Sequence, residues 1–335
     1  MRNLVFPADY SSSMSQRDTQ RAIKLIKDTF QVKLAQTLNL DRITAPVIVA
    51  GDSGINDDLN GVERKVSFDM KEIEGCAEVV QSLAKWKRMA LYRYGYQAGE
   101  GIYTDMNAIR RDDDCDNIHS IFVDQWDWER VITEPDRCFS FLKKIVRRIV
   151  DALADTQQLL MEKYPQLRFP MRREVTFITT QELEDLYPTL TPKERENAFV
   201  REHRTVFIMQ IGGLLRSGDK HDGRAPDYDD WSLNGDILVW DEVLGSALEL
   251  SSMGIRVDAA SLAAQLEEAG ASDRSRFAYH QGILNGTLPL TIGGGIGQSR
   301  ICMFLLEKAH IGEVQVSVWP ADMIASCREH GIILL

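Results

Sequence analysis

The stretch TIGGGIGQSRICMFLL, residues 291–306, packs four glycines into five positions, then an arginine, then apolar residues at helical spacing. Neither common phosphate loop fits it. G-x-x-x-x-G-K-[ST] fails because no lysine follows the glycines, and G-x-G-x-x-G fails because Gly293 and Gly295 would require a glycine where Gln298 stands. The remaining reading is a strand that ends in glycines, where the backbone turns sharply and a ligand can come close, followed by a helix with Arg300 in its first turn. A cation at that position opposes the helix dipole by a few tenths to about 1 kcal/mol, and a bound anion would reverse the sign. A solvated arginine beside a tight turn is the plain alternative, and the spacing leaves both open.

Working outward, 335 residues with 44% hydrophobic and 27% charged content can bury a large core, and the chain reads as one globular unit over 1–335. The longest apolar runs fall far short of the roughly 20 residues that cross a bilayer, and the N-terminal apolar stretch ends at Pro7, so a cytoplasmic protein with no membrane partner is expected. Five scattered cysteines without a C-x-x-C read as reduced thiols. A net charge of −11 and the lack of a basic block disfavour nucleic acid as a partner.

Apolar residues at Ile23, Ile26, Phe30, Leu34 and Leu38 predict an amphipathic helix over 18–40. ITAPVIV follows as one strand carrying Pro46, which belongs at a sheet edge or an interface because proline cannot donate to a ladder. KVSF and AEVV are short strands, and Ser82 can cap the helix that follows. GIYTDMNAI and HSIFVDQWDWE predict a long antiparallel hairpin. A long helix is expected from Pro135, and capping boxes at Thr179/Glu182 and Thr191/Glu194 start two shorter ones. TVFIMQI, GDILVW, GSALELSSMGIRV and EVQVSVWP read as strands. Asp258 caps a helix that ends before Gly270, and another is expected over 273–284. Strands cluster without strand–helix alternation. The class is therefore α+β, a mainly antiparallel sheet flanked by helices.

Period two puts Gln125, Asp127 and Glu129 on one face of their strand and Trp126 and Trp128 on the other. A row of polar groups facing inward suggests a lined cleft; solvent exposure is the alternative. RAPDYDDW alone reads as a solvated turn. Glu249, in a strand segment, is costly to bury unless paired or coordinated, and magnesium, which accepts one or two protein carboxylates beside phosphates, suits Glu249 with Asp236.

Together and in this order, LDRITAPVIV, IRRDDDCDNIHSIFVDQWDWE and GGGIGQSR resemble the three signature motifs of class II aminoacyl-tRNA synthetase catalytic domains. QSLAKWKRMAL, AGEGIYTDM, VDQWDWERV, RAPDYDDW, LNGDILVW and ELSSMGIRVDA sharpen the likeness. They are similar to segments of the asparagine synthetase A family of ammonia-dependent aspartate ligases, over nearly the whole chain. The resemblance implies ATP, magnesium, L-aspartate and ammonia as ligands, an aspartyl adenylate as intermediate, and a homodimer through the Pro46 strand. It assigns Arg110 and Arg300 to the α-phosphate, with Asp57 and Asp229 near the reacting carbon, their roles unseparated. Ser82, Lys87, Gln125, Asp127, Arg224, Ser252 and Arg256 would hold aspartate. Ser120, Asp236, Glu249, Leu250 and Gly295 would join the two arginines at ATP, with Asp236 and Glu249 on the metal. Lys85 reads as a surface charge. A loop reduced to Ser232, between DYDDW and LNGD, and a trimmed 218–223 depart from the family pattern.

A tRNA-charging enzyme would need a tRNA-binding appendage and a basic face, and neither is legible. A non-catalytic binding paralogue predicts loss of a motif arginine, yet Arg110 and Arg300 are both present. A glutamine-dependent synthetase needs an N-terminal nucleophilic cysteine, whereas this chain starts MRN.

Overall fold

A computed structural model describes residues 4–57 and 63–335. Helix α1 (Gln16–Leu38) buries Ile26, Phe30, Leu34 and Leu38, and stops where Asn39 turns left-handed. The expected ITAPVIV strand does not form as one element: only Ile48 and Val49 of it are paired, in β2 (Ile48–Ala50), while β1 (Leu40–Arg42) precedes it in the other sheet and Pro46 lies in the unpaired crossing between the two. Proline has no N–H to give a ladder, which suits residue 46 to an unpaired extended crossing between two sheets. Both flanking strands, β1 and β2, lie at sheet edges, but Pro46 itself belongs to neither.

After β3 (Ser67–Asp69) and β4 (Cys76–Val79), α2 (Ala84–Tyr94) starts one residue later than a Ser82 cap would give, although the Ser82 hydroxyl still accepts the Ala84 N–H. The hairpin of β5 (Gly101–Ile109) and β6 (Phe122–Val131) is antiparallel over its full length. Helix α3 runs Phe139–Lys163, four residues later than expected. Pro135 instead sits in a separate short turn closed by Thr133 and Asp136, and Arg137 leaves the helical region to bind Asp230, Asp258 and the Arg256 carbonyl.

Strand β7 (Thr176–Thr179) was hidden by the capping box that starts α4 (Thr180–Leu186). Then come α5 (Pro192–His203), whose Thr191 capping box forms as predicted, and the fully buried β8 (Thr205–Met209). Strand β9 (Asp229–Asp241) extends through the position expected to be a loop at Ser232, and β10 (Ser246–Arg256) returns beside it. Helix α6 (Ala259–Glu268) is capped by Asp258; the next predicted helix is a short turn plus α7 (Ala278–Leu284). The chain closes with β11 (Thr291–Gly297), α8 (Gln298–Leu305) and α9 (Ala321–Glu329). EVQVSVWP forms no strand. Gln315 and Ser317 bond sideways to Ser299 and Ser120, leaving Val316 and Val318 in solvent.

The described strands form an eight-stranded sheet, β1-β5-β6-β11-β10-β9-β8-β7, antiparallel except for its two outer pairs, and a three-stranded sheet, β2-β4-β3. This is the expected α+β architecture. One face of the large sheet is dry. Trp126 and Trp128 are fully buried there with Phe30 of α1 and the Ile145, Ile149 and Leu153 stripe of α3. No described helix is long and apolar enough to cross a membrane.

At the end of β9, Asp241 accepts N–H bonds from Val243 and Leu244 on one oxygen, while its other oxygen is buried without a partner. Burial pushes its pKa up to about 6, against the lowering effect of those two bonds. A folded-state value above the unfolded one means that ionising Asp241 costs stability; the loss grows as pH rises from about 4 to about 6, reaching about 3 kcal/mol. Asp241→Asn, which keeps the accepting oxygen, is expected to raise urea stability at pH 8 by about 1–2 kcal/mol and to give no gain at pH 4.

Candidate functional site

The opposite face of the large sheet is wet. Gln125, Asp127 and Glu129 of β6 stand on it, on the side away from the tryptophans, as period two requires. Room for them comes from β11. Gly297, Gly295 and Gly293 sit directly opposite Gln125, Asp127 and Glu129, and a methyl at Gly293 or Gly295 would overlap those very side chains. The glycines therefore form no turn. They are extended strand residues, and the space at Gly293 and Gly295 is filled by protein side chains, which corrects the expectation of a glycine turn opened for a ligand.

The polar groups on this face hold one another. Arg256 forks onto Glu129, with Nη2 2.8 Å and Nε 3.1 Å from its oxygens, and its Nη1 pairs with Asp229. Thr291 donates to Glu129 at 2.7 Å. Burial pushes the Glu129 carboxyl toward neutrality, but the Arg256 guanidinium outweighs it and holds the pKa below the usual range. Lys87 of α2, buried, reaches Asp127 and the Gly294 carbonyl, each at 3.1 Å. Burial brings its pKa down, only partly countered by Asp127 and Glu129. Arg224 pairs with Asp236 at 2.6 Å and donates to Ser252. The Asp236 carboxyl is pushed up to about 7 by burial against the pull of Arg224, and the charge of Glu249 adds to the rise.

A register shift between Glu249 and Ser251 breaks the alternation of β10, so that Glu249 and Ser252, an odd number apart, both line the same cavity. That cavity measures about 670 Å³. Its wall includes every site residue expected from the sequence: Asp57, Ser82, Lys87, Arg110, Ser120, Gln125, Asp127, Arg224, Asp229, Asp236, Glu249, Leu250, Ser252, Arg256, Gly295 and Arg300. Arg110 and Arg300, almost two hundred positions apart, meet there. Arg300 lies in the first turn of α8 and donates to the Glu249 carbonyl at 3.1 Å and the Ile118 carbonyl at 3.4 Å. The Nε of Arg110 and Oδ1 of Asp127 are buried without protein partners.

Three readings change. RAPDYDDW is no solvated turn: Asp227 is wholly buried and Asp229 and Asp230 nearly so. Ser120 precedes β6 instead of lying on it. Lys85 is no surface charge; it is 3% exposed, 3.3 Å from Asp227 and hydrogen-bonded to the carbonyls of Gly54 and Asn56. Asp227 also binds Arg274 at 2.8 Å and His280 at 3.0 Å, which keeps it far below the usual carboxylate range despite burial. No helical periodicity marks Lys85, whereas Lys87 and Arg88 share a face with Ala84 and Leu91.

Asp124 was also unforeseen. It accepts the Ser299 N–H at 3.0 Å, taking the place of the side-chain cap that Gly297 cannot supply to α8. One N–H of that helix end is thus already used by a carboxylate.

Chemically, the inner end offers paired cations and carboxylates suited to a zwitterion that also carries an acid. The outer end offers two arginines and the Asp236 and Glu249 carboxylates, suited to a polyphosphate with a divalent cation. Among the described residues no group of three or more potential ligands converges to hold a metal by itself. Asp236, raised by burial and then by the charge of Glu249, still fits with Glu249 a cation shared with phosphate.

The family model described as aspartate-ammonia ligase matches residues 17–331. The chain belongs to the aspartate–ammonia ligase family. An aspartate–ammonia ligase of Ruminiclostridium cellulolyticum is 57% identical over the whole of both chains, one of Clostridium tetani is 56% identical over 99% of this chain and 98% of that one, and one of Pediococcus pentosaceus is 54% identical over 99% and 100%. Among solved structures, asparaginyl-tRNA synthetase of Pyrococcus horikoshii complexed with asparaginyl-adenylate superposes with a TM-score of 0.65 at 15% identity, covering 90% of this chain and 70% of that one. The Entamoeba histolytica enzyme gives 0.63 at 13%, covering 90% and 66%. The ligase family thus shares the class II synthetase catalytic fold, while this chain spans about two thirds of those synthetases.

The glycine row gives a stability test. Gly293→Ala would drive a methyl into Glu129 and Arg256, and breaking a buried pair costs about 3 kcal/mol, readable as a drop in urea midpoint. Gly297→Ala, whose methyl meets only the Arg300 side chain at 3.3 Å or more, is expected to cost under about 1 kcal/mol.

Proposed function

We propose that the protein makes L-asparagine from L-aspartate, ammonia and ATP through a β-aspartyl adenylate, releasing AMP and pyrophosphate. The observation that carries this reading is the convergence on one cavity of an inner set of paired charges and an outer pair of arginines, in a chain of this ligase family.

In the first step an oxygen of the aspartate side-chain carboxylate attacks the α-phosphorus of ATP and the bond to pyrophosphate breaks. Negative charge spreads over the phosphoryl oxygens, and Arg110 and Arg300 hold it. In the second step the nitrogen lone pair of ammonia attacks the β-carbonyl carbon, AMP departs, and a proton leaves the nitrogen. Lys87, Arg224 and Arg256 are the cations for the substrate carboxylates. Asp127, through the oxygen that has no protein partner, takes the substrate ammonium together with Gln125, with Ser82 and Ser252 alongside. Ser120, Leu250 and Gly295 border the nucleotide.

Asp57 and Asp229 flank the reacting carbon. Asp229 is held by Arg256 and lies 3.9 Å from Arg224, and Tyr228 stands between the two acids' fields, its hydroxyl pKa raised by burial and by both charges. Asp236 and Glu249 would hold magnesium, which when bound neutralises charge on the phosphates. The exposed Val47 and Ile48 beside Pro46 support a homodimer through that edge, and the net charge of −11 fits a cytoplasmic enzyme that binds no nucleic acid.

The deciding assay supplies aspartate, ATP, magnesium and ammonium: asparagine and AMP are expected to form without tRNA. ADP as product, or strict tRNA dependence, would sink the reading. Arg300→Ala is expected to lower aspartate-dependent pyrophosphate–ATP exchange at least a hundredfold, a loss of about 2.7 kcal/mol of transition-state binding, with an unchanged thermal midpoint. Retained exchange would return Arg300 to a surface role.

A further inference from the structure

The segment 110–121 lies between β5 and β6 and lines the outer end of the cavity with Arg110, Asp116, Ile118, His119 and Ser120. Asn117, in the middle of that run, does not line it. Its side chain is 4% exposed and turns the other way, into the N-terminal segment. There it forms a closed pair with one residue: Val5 N–H donates to Asn117 Oδ1 at 2.8 Å, and Asn117 Nδ2 donates back to the Val5 carbonyl at 2.8 Å. Nδ2 also donates to the Ala309 carbonyl at 2.8 Å, and the Asn117 carbonyl accepts the Ile311 N–H at 2.7 Å. Both donors and one acceptor site of the side-chain amide, with the backbone carbonyl, are therefore spent on joining three distant pieces of chain.

The N-terminal segment is anchored at further points. Tyr10 donates to Glu313, at 2.9 and 3.0 Å from its two oxygens, and Glu313 in turn accepts the N–H groups of Ala309 and His310. Lys308 donates to the Ser12 hydroxyl, and Phe6 stacks on His330 with ring centres 3.9 Å apart. Residues 4–12 thus run as a fixed strip along the back of the outer cavity wall. The immediate neighbour of Asn117 is Ile118, whose carbonyl receives Arg300 Nε at 3.4 Å. Asp116, on the other side of Asn117, accepts the Ile118 and His119 N–H groups on one oxygen, each at 2.8 Å, so Asn117 ties a tight turn to the N-terminal segment.

We propose that residues 4–12 are a strap that positions the nucleotide end of the cavity, and that Asn117 is the positioning residue through which the strap acts. This rests on the assignment of Arg110 and Arg300 to ATP made above. Asn117 touches no substrate. Its effect is to fix where the loop presents its backbone to the nucleotide, while the aspartate end, built on β6, β10 and α2, is anchored independently.

The test is aspartate-dependent pyrophosphate–ATP exchange on the full chain. Asn117→Ala is expected to raise the KM for ATP at least tenfold and leave the KM for aspartate within twofold. Val5→Pro removes the strap's donor without altering the loop, and it is expected to raise the ATP KM severalfold; the double variant is expected to be no worse than Asn117→Ala alone. Two results overturn the proposal: both KM values rising together as the thermal midpoint falls, which is a purely structural role, or Val5→Pro leaving the ATP KM unchanged. If Asn117→Ala does not fold, Val5→Pro alone decides. Arg300→Ala separates the two readings. Exchange surviving that change overturns the nucleotide assignment, whereas exchange lost there with a normal ATP KM in both strap variants overturns the strap only.

Discussion

Arg256 shares one guanidinium between Glu129 and Asp229 at a depth where water scarcely reaches. Burying ions is expensive, and only complete pairing makes it tolerable. Much of the wet face follows from that constraint. Glu129 needs space, so β11 carries no side chain opposite it. Asp229 must lie across from Arg256, so β9 starts with it and the β9–β10 register shifts just there. The second pairing, Arg224 with Asp236, and the third, Lys87 with Asp127, extend the same arrangement toward the outer wall.

Strand β6 separates this charged layer from the apolar one. On one side its tryptophans pack against α1 and α3; on the other its carboxylates and amide face the cavity. Here the dry side supplies rigidity, and on the wet side the glycines of β11 make room for the polar side chains of β6.

This division was legible in VDQWDWE because period two is a property of extended backbone and survives any tertiary context. The cavity residues were legible for a different reason, a family resemblance that spans the chain, and all of them do converge. What escaped were features set by contacts between distant segments. The loss of residues 43–47 from the expected strand depends on β1 and β2 joining different sheets. The break at Arg137 depends on acids at 230 and 258. Lys85 looked like one more cation on a helix, because nothing near it in sequence announces Asp227. The glycines were read as a turn since the side chains that need their space lie more than 160 residues away.

The cap on α8 has a consequence for Arg300. Asp124, which holds the Ser299 N–H, is itself paired at 3.2 Å with Lys27, a residue of α1. A helix from the tryptophan side of the sheet therefore helps set the pitch of the helix that carries Arg300. The guanidinium itself is held by two further scaffold groups, the Glu249 and Ile118 carbonyls, so its ordering is built into the fold. In this molecule, the seating of the helix at the cavity wall begins in the oily half of the protein.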